Sequence, residues 1–169
     1  MKAIAYFNPD INHGLSGTVK FSQHRSNSHV TVRIKLKGFT KNHKHAIHIH
    51  EYGDISKGCM SAGPHYNPTG ATHGTRLIKD MPRHAGDLIN NILPHKGKVS
   101  EKFKDDMLTL FGKDTIIGRT VVIHTGEDDL GLGGLNDKGE IIDAAVHRES
   151  LKTGNAGGRM ACAIIGFAK

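Results

Sequence analysis

Several histidines of this sequence have spacings that suit metal coordination. His48 and His50 are two residues apart in a segment with strand-like patterning, and residues two apart on a strand point to the same face. Their imidazoles can therefore converge on one ion. Further candidate ligands follow along the chain: His65, His73, His84, Asp87 and His124. Imidazole suits copper and zinc, and a carboxylate beside three histidines is compatible with tetrahedral zinc.

The number of histidines does not by itself support this hypothesis, although 13 of the 169 residues are His. Each candidate, taken singly, is more simply explained as a surface residue or as a hydrogen-bonded core residue. Six histidines and one aspartate arranged around a β scaffold make that explanation weak. The pattern therefore predicts a metal site.

The segments that must position these ligands have the pattern of short β-strands. In Val30–Lys37 apolar residues alternate with polar ones, and alternation with a period of two indicates one buried and one wet face. Similar patterns predict strands at Lys2–Phe7, 18–21, 46–50, 99–103, Thr120–His124 and 160–167. Many short strands with turn residues between them favour an all-β antiparallel sandwich or barrel.

Two long segments, 51–87 and 125–159, are rich in Gly and poor in alternation. Long ordered loops are usually functional, and most candidate ligands fall inside these two or at their ends. Within the second loop, residues 140–146 predict one or two helical turns.

Length and charge limit the classes of protein. A chain of 169 residues has the size of one compact domain, so we predict a single domain over 1–169. The net charge is +7 and the pI about 9.5. The basic residues are scattered along the chain and do not alternate with aromatic residues, so we expect no nucleic-acid partner.

The lengths of the apolar segments and the number of cysteines bear on the compartment and on the redox state of the protein. No segment has the apolar length of a transmembrane span or of a signal peptide, which predicts a cytoplasmic protein. Cys59 and Cys162 are the two cysteines. In a reducing compartment free thiols are the default, and a disulfide requires a further argument.

The sequence resembles the copper/zinc superoxide dismutase family. The resemblance runs in order over nearly the whole chain, and it is carried by residues 48–54 (HIHEYGD), 63–68 (GPHYNP), 83–88 (RHAGDL), 118–124 (GRTVVIH), 128–131 (DDLG) and 152–162 (KTGNAGGRMAC). It implies an eight-stranded antiparallel Greek-key β-barrel with two long functional loops.

The resemblance also implies a metal centre with two ions. Copper would be held by His48, His50, His65 and His124, and zinc by His65, His73, His84 and Asp87. His65 would then be the shared ligand. Asp128 matches a carboxylate that links a copper ligand to a zinc ligand, and His45 matches a histidine that binds no metal.

The activity implied is the disproportionation of superoxide to dioxygen and hydrogen peroxide by cycling between Cu(II) and Cu(I). His65 would take a proton on copper reduction and pass it on. Arg159 matches an arginine that guides the anion, and an ordinary surface charge is the weaker interpretation. Thr153 matches the polar residue across the substrate channel. Between Gly134 and Glu149 the second loop is longer than is usual in the family, so the resemblance does not predict the rate of dismutation.

The resemblance supplies the argument that a disulfide required, because Cys59 and Cys162 match the family's intrasubunit bond. It further implies a homodimer that uses Tyr52 and Gly53 and a set of other positions: Ile117, Gly118, Ile164 and Phe167. Core packing of the apolar members is the alternative. A copper chaperone is a further candidate partner. The alternative function is a copper chaperone-like or metal-storage protein of the same fold without dismutase activity.

Overall fold

The computed structural model describes residues 1–169 and consists mainly of β-strands. The strands are β1 (Lys2–Phe7), β2 (Ser16–Ser22), β3 (Val30–Lys37), β4 (His45–His50), β5 (Ser56–Cys59), β6 (Asn91–Ile92), β7 (Lys98–Asp105), β8 (Thr120–His124) and β9 (Arg159–Phe167). Helix is confined to the 3-10 turns Met60–Ala62 and Ala85–Asp87 and to α1 (Ala144–Thr153). None of these helices has the length and apolar content that crossing a membrane requires.

Eight strands form one antiparallel sheet in the order β6-β4-β8-β9-β1-β2-β3-β7, which curls into a nearly closed barrel. The connections from β3 to β4 and from β6 to β7 join strands near opposite ends of this order. Such long returns are typical of Greek-key arrangements. The predicted all-β antiparallel barrel with eight strands is confirmed.

The apolar side chains that alternate with polar ones along the strands fill the interior of the barrel. Pairing of β2 with β3 sets Val19 opposite Ile34 and Phe21 opposite Val32, and all four side chains lie in a core of 26 buried residues. A one-residue slip would turn these side chains to water, so the apolar pattern fixes the register.

The predicted strands are present, but the structure adds two short ones. β5 and β6 have four and two residues and lie in or beside the first long loop. Neither has an alternating apolar pattern that a sequence analysis could detect: β5 is almost wholly exposed, and β6 is too short to show a period.

The helix of the second loop lies later than predicted. It covers Ala144–Thr153 rather than 140–146, because Asp143 caps it by accepting hydrogen bonds from the backbone N–H groups of Ala145 and Val146, both at 3.0 Å. Gly154 ends it in the left-handed conformation at φ 67°. Both ends therefore have the residues that helix termini favour.

Candidate metal centre

Two adjacent strands of the barrel carry three of the candidate ligands. Ile47 and Ile49 of β4 point into the core, so His48 and His50 point to the opposite face, under the long loops. β8 pairs with β4 and ends at His124, where a bulge shifts the register against β9. The bulge re-aims the side chain that ends the strand, which is a common use of such irregularities near functional sites.

The first group of candidate ligands consists of His48, His50, His65 and His124, whose ligand atoms all lie within 4.8 Å of one another. None of these residues is more than 5% exposed. Burial lowers the pKa of His48 to about 3 and that of His124 to about 4. The pKa of His50 is also held well below its usual value by burial. These imidazoles are therefore neutral at neutral pH, the form that binds metals.

Hydrogen bonds on the outer side of each ring fix which nitrogen keeps its lone pair. His50 Nδ1 donates to Gly63 O at 2.8 Å, and His124 Nδ1 donates to Gly157 O at 3.3 Å. Their Nε2 atoms consequently face each other as two acceptors 3.3 Å apart. His48 Nε2 donates to Asp128, and its Nδ1 is buried with no hydrogen-bond partner. Three lone pairs thus converge with no donor between them, which a cation would satisfy.

A second group surrounds one carboxylate oxygen. Asp87 Oδ1 lies 3.0 Å from His65 Nδ1, 3.0 Å from His73 Nδ1 and 3.1 Å from His84 Nδ1. His65 Nδ1 and His84 Nδ1 are 3.4 Å apart. Zinc–nitrogen bonds of 2.0–2.1 Å imply separations of roughly 3.3 Å between ligands in a tetrahedron. The spacing in this group therefore fits a zinc ion.

The loop backbone holds Asp87 in this position. Its Oδ2 accepts hydrogen bonds from the backbone N–H groups of His84 at 2.8 Å and Gly74 at 3.2 Å. Burial alone would raise the pKa of Asp87, but the hydrogen bonds from His65, His73 and His84 hold it well below its usual range. The carboxylate is ionised, and its Oδ1 is the oxygen on which the three imidazole nitrogens converge.

His48 also comes close to this second group. His48, His65, His73 and Asp87 offer ligand atoms within 4.8 Å of one another, because the rings of His48 and His65 pack with centroids 4.0 Å apart. His84 is outside that set of four but lies against His65 and Asp87 by the distances given above. The structure therefore brings together all seven residues that the sequence predicted as ligands.

Asp128 connects the two groups. Its Oδ2 accepts from His48 Nε2 at 2.6 Å and its Oδ1 from His73 Nε2 at 2.9 Å. Burial opposes ionisation, but these hydrogen bonds hold the pKa of Asp128 below its usual value. Burial also lowers the pKa of His73, yet its hydrogen bonds to Asp128 and Asp87 prevail and raise it to about 9.

Two residues that support Asp128 were missed by the sequence analysis. Asn90, fully buried at φ 58°, donates to Asp128 Oδ2 at 3.1 Å. Gly154 lies so close that a Cβ there would be 2.5 Å from His73 Nε2 and 2.6 Å from Asp128 Oδ1. Asn and Gly tolerate positive φ, but their positions in the sequence gave no sign of this contact.

A cavity of about 740 Å³ leads to the first group from solvent, and its lining includes His50, His65, His124, Thr153 and Arg159. Arg159 is held by backbone carbonyls: Nη1 donates to Cys59 O at 2.8 Å and to Met60 O at 3.3 Å, and Nη2 donates to Gly63 O at 2.6 Å.

Helix α1 forms the wall of the cavity opposite the segment 59–63, whose carbonyls hold Arg159. Thr153 closes the helix, and its hydroxyl donates to Glu149 Oε1 at 2.9 Å. The carbonyl of Leu151, in the last turn, accepts from the backbone N–H of His73 at 2.8 Å. The same helix end thus shapes the cavity and anchors a ligand of the second group.

Cys59 and Cys162 form a disulfide that joins the end of β5 to β9, across 103 residues. The prediction of this bond is confirmed. His45 lies outside both groups and donates from Nδ1 to His124 O at 2.9 Å.

The nitrogen and oxygen donors fit copper and zinc on three observations: converging lone pairs on buried neutral imidazoles, the unpartnered His48 Nδ1, and near-tetrahedral spacing around Asp87. The fold and the site together define a β-barrel metalloprotein with a histidine-rich centre for two metal ions.

Comparison with known proteins identifies the family. A family model described as Copper/zinc superoxide dismutase (SODC) matches residues 15–165. The chain is 46% identical over 168 residues to a copper–zinc superoxide dismutase of Schizosaccharomyces pombe, covering 99% of each. Relatives of the same name occur in Saccharomyces cerevisiae (42% over 167 residues, 99% of this chain and 98% of the relative) and in Paramecium bursaria Chlorella virus 1 (44% over 155 residues, 92% and 74%).

The chain belongs to the copper/zinc superoxide dismutase family. It is an oxidoreductase that disproportionates superoxide to dioxygen and hydrogen peroxide, and its cofactors are copper and zinc. The comparisons give no support to the alternative of a copper chaperone-like or metal-storage protein.

Proposed function

We propose that the first group, His48, His50, His65 and His124, holds copper and that the second, His65, His73, His84 and Asp87, holds zinc. The observation that carries this assignment is the division of His65 between the two groups. Its Nδ1 lies against Asp87, which leaves Nε2 for the first group. When bound, copper supplies the one-electron redox step and zinc supplies a fixed positive charge.

A pair of variants tests the division of ligands. His48→Ala should abolish dismutation and lower copper content while zinc content stays near one per chain, because the change removes a proposed copper ligand and leaves His65, His73, His84 and Asp87 in place. Asp87→Ala should lower zinc content first. The exposed His95→Ala is the matched control. Equal loss of both metals in His48→Ala, or full activity of that variant, would contradict the assignment.

His65 is proposed to move a proton as well as to bridge. Its Nε2 is the only ring nitrogen left when Nδ1 stays with the zinc group, so it is the atom that can take and release a proton beside the copper group. Asp87 holds the other side of the ring in place. His65 would then supply one of the two protons that hydrogen peroxide requires, and solvent in the cavity would supply the other.

Arg159 is proposed to bind the superoxide anion. Three of its five N–H groups are used by the carbonyls of Cys59, Met60 and Gly63, which leaves two donors for an anion in the cavity. Gly63 O also accepts from His50 Nδ1, so the guanidinium and a proposed copper ligand share one anchor. Thr153 forms the opposite side of the channel.

We further propose that the chain acts as a single domain over 1–169 and forms a homodimer. One core of 26 buried residues supports the single domain. Tyr52, Ile164 and Phe167 are 56%, 39% and 74% exposed, so core packing does not explain these three apolar side chains. A second copy that covers them would remove this apolar surface from water. Light scattering of the protein and of Ile164→Lys tests this: a monomeric wild type would refute it.

A copper chaperone is proposed as the source of copper, because the four histidines of the copper group are buried beneath loops. Copper loading in cells that lack such chaperones tests this, and full loading there would refute it. The cytoplasm is the proposed compartment, and cell fractionation checks it.

A further inference from the structure

The outward side of β2, β3 and β7 carries an unusual concentration of positive charge. Seven exposed basic residues occupy it, and together they are called the basic face: Lys20, Arg33, Lys35, Lys37, Lys98, Lys102 and Lys104. β2 and β3 contain no acidic residue. The two acids of β7, Glu101 and Asp105, occupy the alternate positions, which point to the other side of the strand.

The basic face accounts for the charge of the whole molecule. The chain has 23 basic and 16 acidic residues, and the 16 basic residues outside this face balance the acidic ones. These seven residues come from three strands, of which β7 is distant in sequence from β2 and β3, so only the fold reveals that they lie on one surface.

Strand pairing sets like charges directly against each other on this face. Lys20 lies opposite Arg33, and Arg33 lies opposite Lys102 on its other side. Lys37 lies opposite Lys98. Like charges at opposed positions are destabilising, and none of the seven residues forms a salt bridge within the chain. The repulsion has no internal compensation, so an external anion is the partner that would relieve it.

The chemistry of the face indicates an extended anionic surface rather than a discrete anion. Its charges are spaced about 6.6 Å along each strand and about 4.8 Å between strands, over an area of roughly 20 by 10 Å. Six of the seven are lysines, which act as mobile point charges and lack the planar fork with which arginine grips single phosphates. The outward positions carry no aromatic residue on which nucleic-acid bases could stack.

We propose that the basic face docks the protein onto anionic lipid bilayers. The arrangement of the barrel is compatible with activity in the docked state. In the order of eight strands β3 lies four strands from β8 in either direction, so the basic face and the metal centre are on opposite sides. Docking leaves the cavity at Arg159 open to solvent.

Sedimentation with lipid vesicles tests the proposal on the metal-loaded protein. Vesicles of phosphatidylcholine with about one-third phosphatidylserine should bind the protein at about 50 mM salt and release it at about 300 mM salt. At the lower salt concentration they should bind more protein than vesicles of phosphatidylcholine alone. Each lysine near such a surface strengthens binding about fivefold. The triple variant Lys20→Gln/Lys35→Gln/Lys102→Gln should therefore bind about 100-fold more weakly.

The matched control removes three exposed lysines elsewhere, Lys57→Gln/Lys113→Gln/Lys138→Gln, and has the same net charge. It should bind within a few-fold of wild type. The triple variant of the face should unfold at the same temperature as wild type or higher, because the repulsion around Arg33 is reduced, so that lost binding cannot be attributed to misfolding.

Three results would overturn the proposal. The first is no binding of wild type to anionic vesicles at low salt. The second is an equal loss in both triple variants, which would make net charge rather than the face responsible. The third is binding to duplex RNA under conditions in which the vesicles do not bind.

Discussion

Replacing Asp128 should loosen both metal groups at once, although Asp128 belongs to neither. Its two oxygens accept four hydrogen bonds: from His48 Nε2, His73 Nε2, Asn90 Nδ2 and the backbone N–H of Leu130. Asp128→Leu removes both acceptor oxygens and with them all four hydrogen bonds. His48 and His73 would then satisfy themselves by moving the proton to Nδ1, the nitrogen that each presents to its metal group.

The expected magnitude follows from that change of tautomer. A carboxylate that fixes a ligating histidine contributes about 10- to 100-fold in metal affinity, or about 1.4 to 2.7 kcal/mol for each group. Both groups should lose this amount in Asp128→Leu. Asp128→Asn keeps one oxygen, and its NH2 group would face a ring N–H on the other side, so only one metal should be lost.

Competition with chelators of graded affinity, with copper and zinc counted by mass spectrometry, measures both effects. Thermal unfolding of the metal-free variants shows whether each is folded. The reasoning is wrong if folded Asp128→Leu retains both metals with the affinity of the wild type, or if Asp128→Asn loses both equally.

Three further changes have defined outcomes. Cys162→Ser should lower the free energy of unfolding by about 4 to 5 kcal/mol in the loop-entropy model, measured by urea titration against the disulfide-bonded wild type. Gly154→Ala should reduce zinc affinity at least tenfold in the chelator assay, because its Cβ would displace the His73–Asp128 pair; Gly139→Ala, with open space around it, is the control for positive φ. The metal-free protein should lose stability as the pH falls below 6.5, since folding favours neutral His48 and His124 with pKa values of about 3 and about 4. Urea titrations at pH 7 and about 4.5 measure this loss, and it should be at least as large in the metal-loaded protein, because the ligating imidazoles take up protons when unfolding releases the metals.

Much of the barrel could be predicted because its strands follow a local rule. Val30–Lys37 alternates so regularly that its core face and its register both follow from the apolar pattern. The two short strands and the exact place of α1 could not be predicted in this way. β5 buries almost no side chain. The start of α1 is set by the hydrogen bonds that the Asp143 side chain accepts from backbone N–H groups, and the apolar pattern does not encode this capping contact.

The ligand residues could be proposed from the sequence because their chemistry is rare in combination, but their spatial arrangement could not. His65 lies in an irregular loop, and no periodicity places its ring between His48 and Asp87. Asn90 and Gly154 matter only through contacts with Asp128. The basic face shows the same limit, since Lys20 and Lys102 are distant in sequence and become neighbours of Arg33 only through strand pairing.

The disulfide has a consequence for substrate capture that goes beyond stability. Cys162 lies three residues after Arg159 on β9, and Cys59 is the first residue of the segment whose carbonyls hold the Arg159 guanidinium. Reduction would free that segment, so Arg159 would lose its fixed orientation and His50 the carbonyl of Gly63 that sets its tautomer. With Arg159 binding the anion as proposed, a chain with both thiols reduced should remain a folded barrel but capture its substrate poorly, so the thiol–disulfide balance of the surroundings would control anion binding.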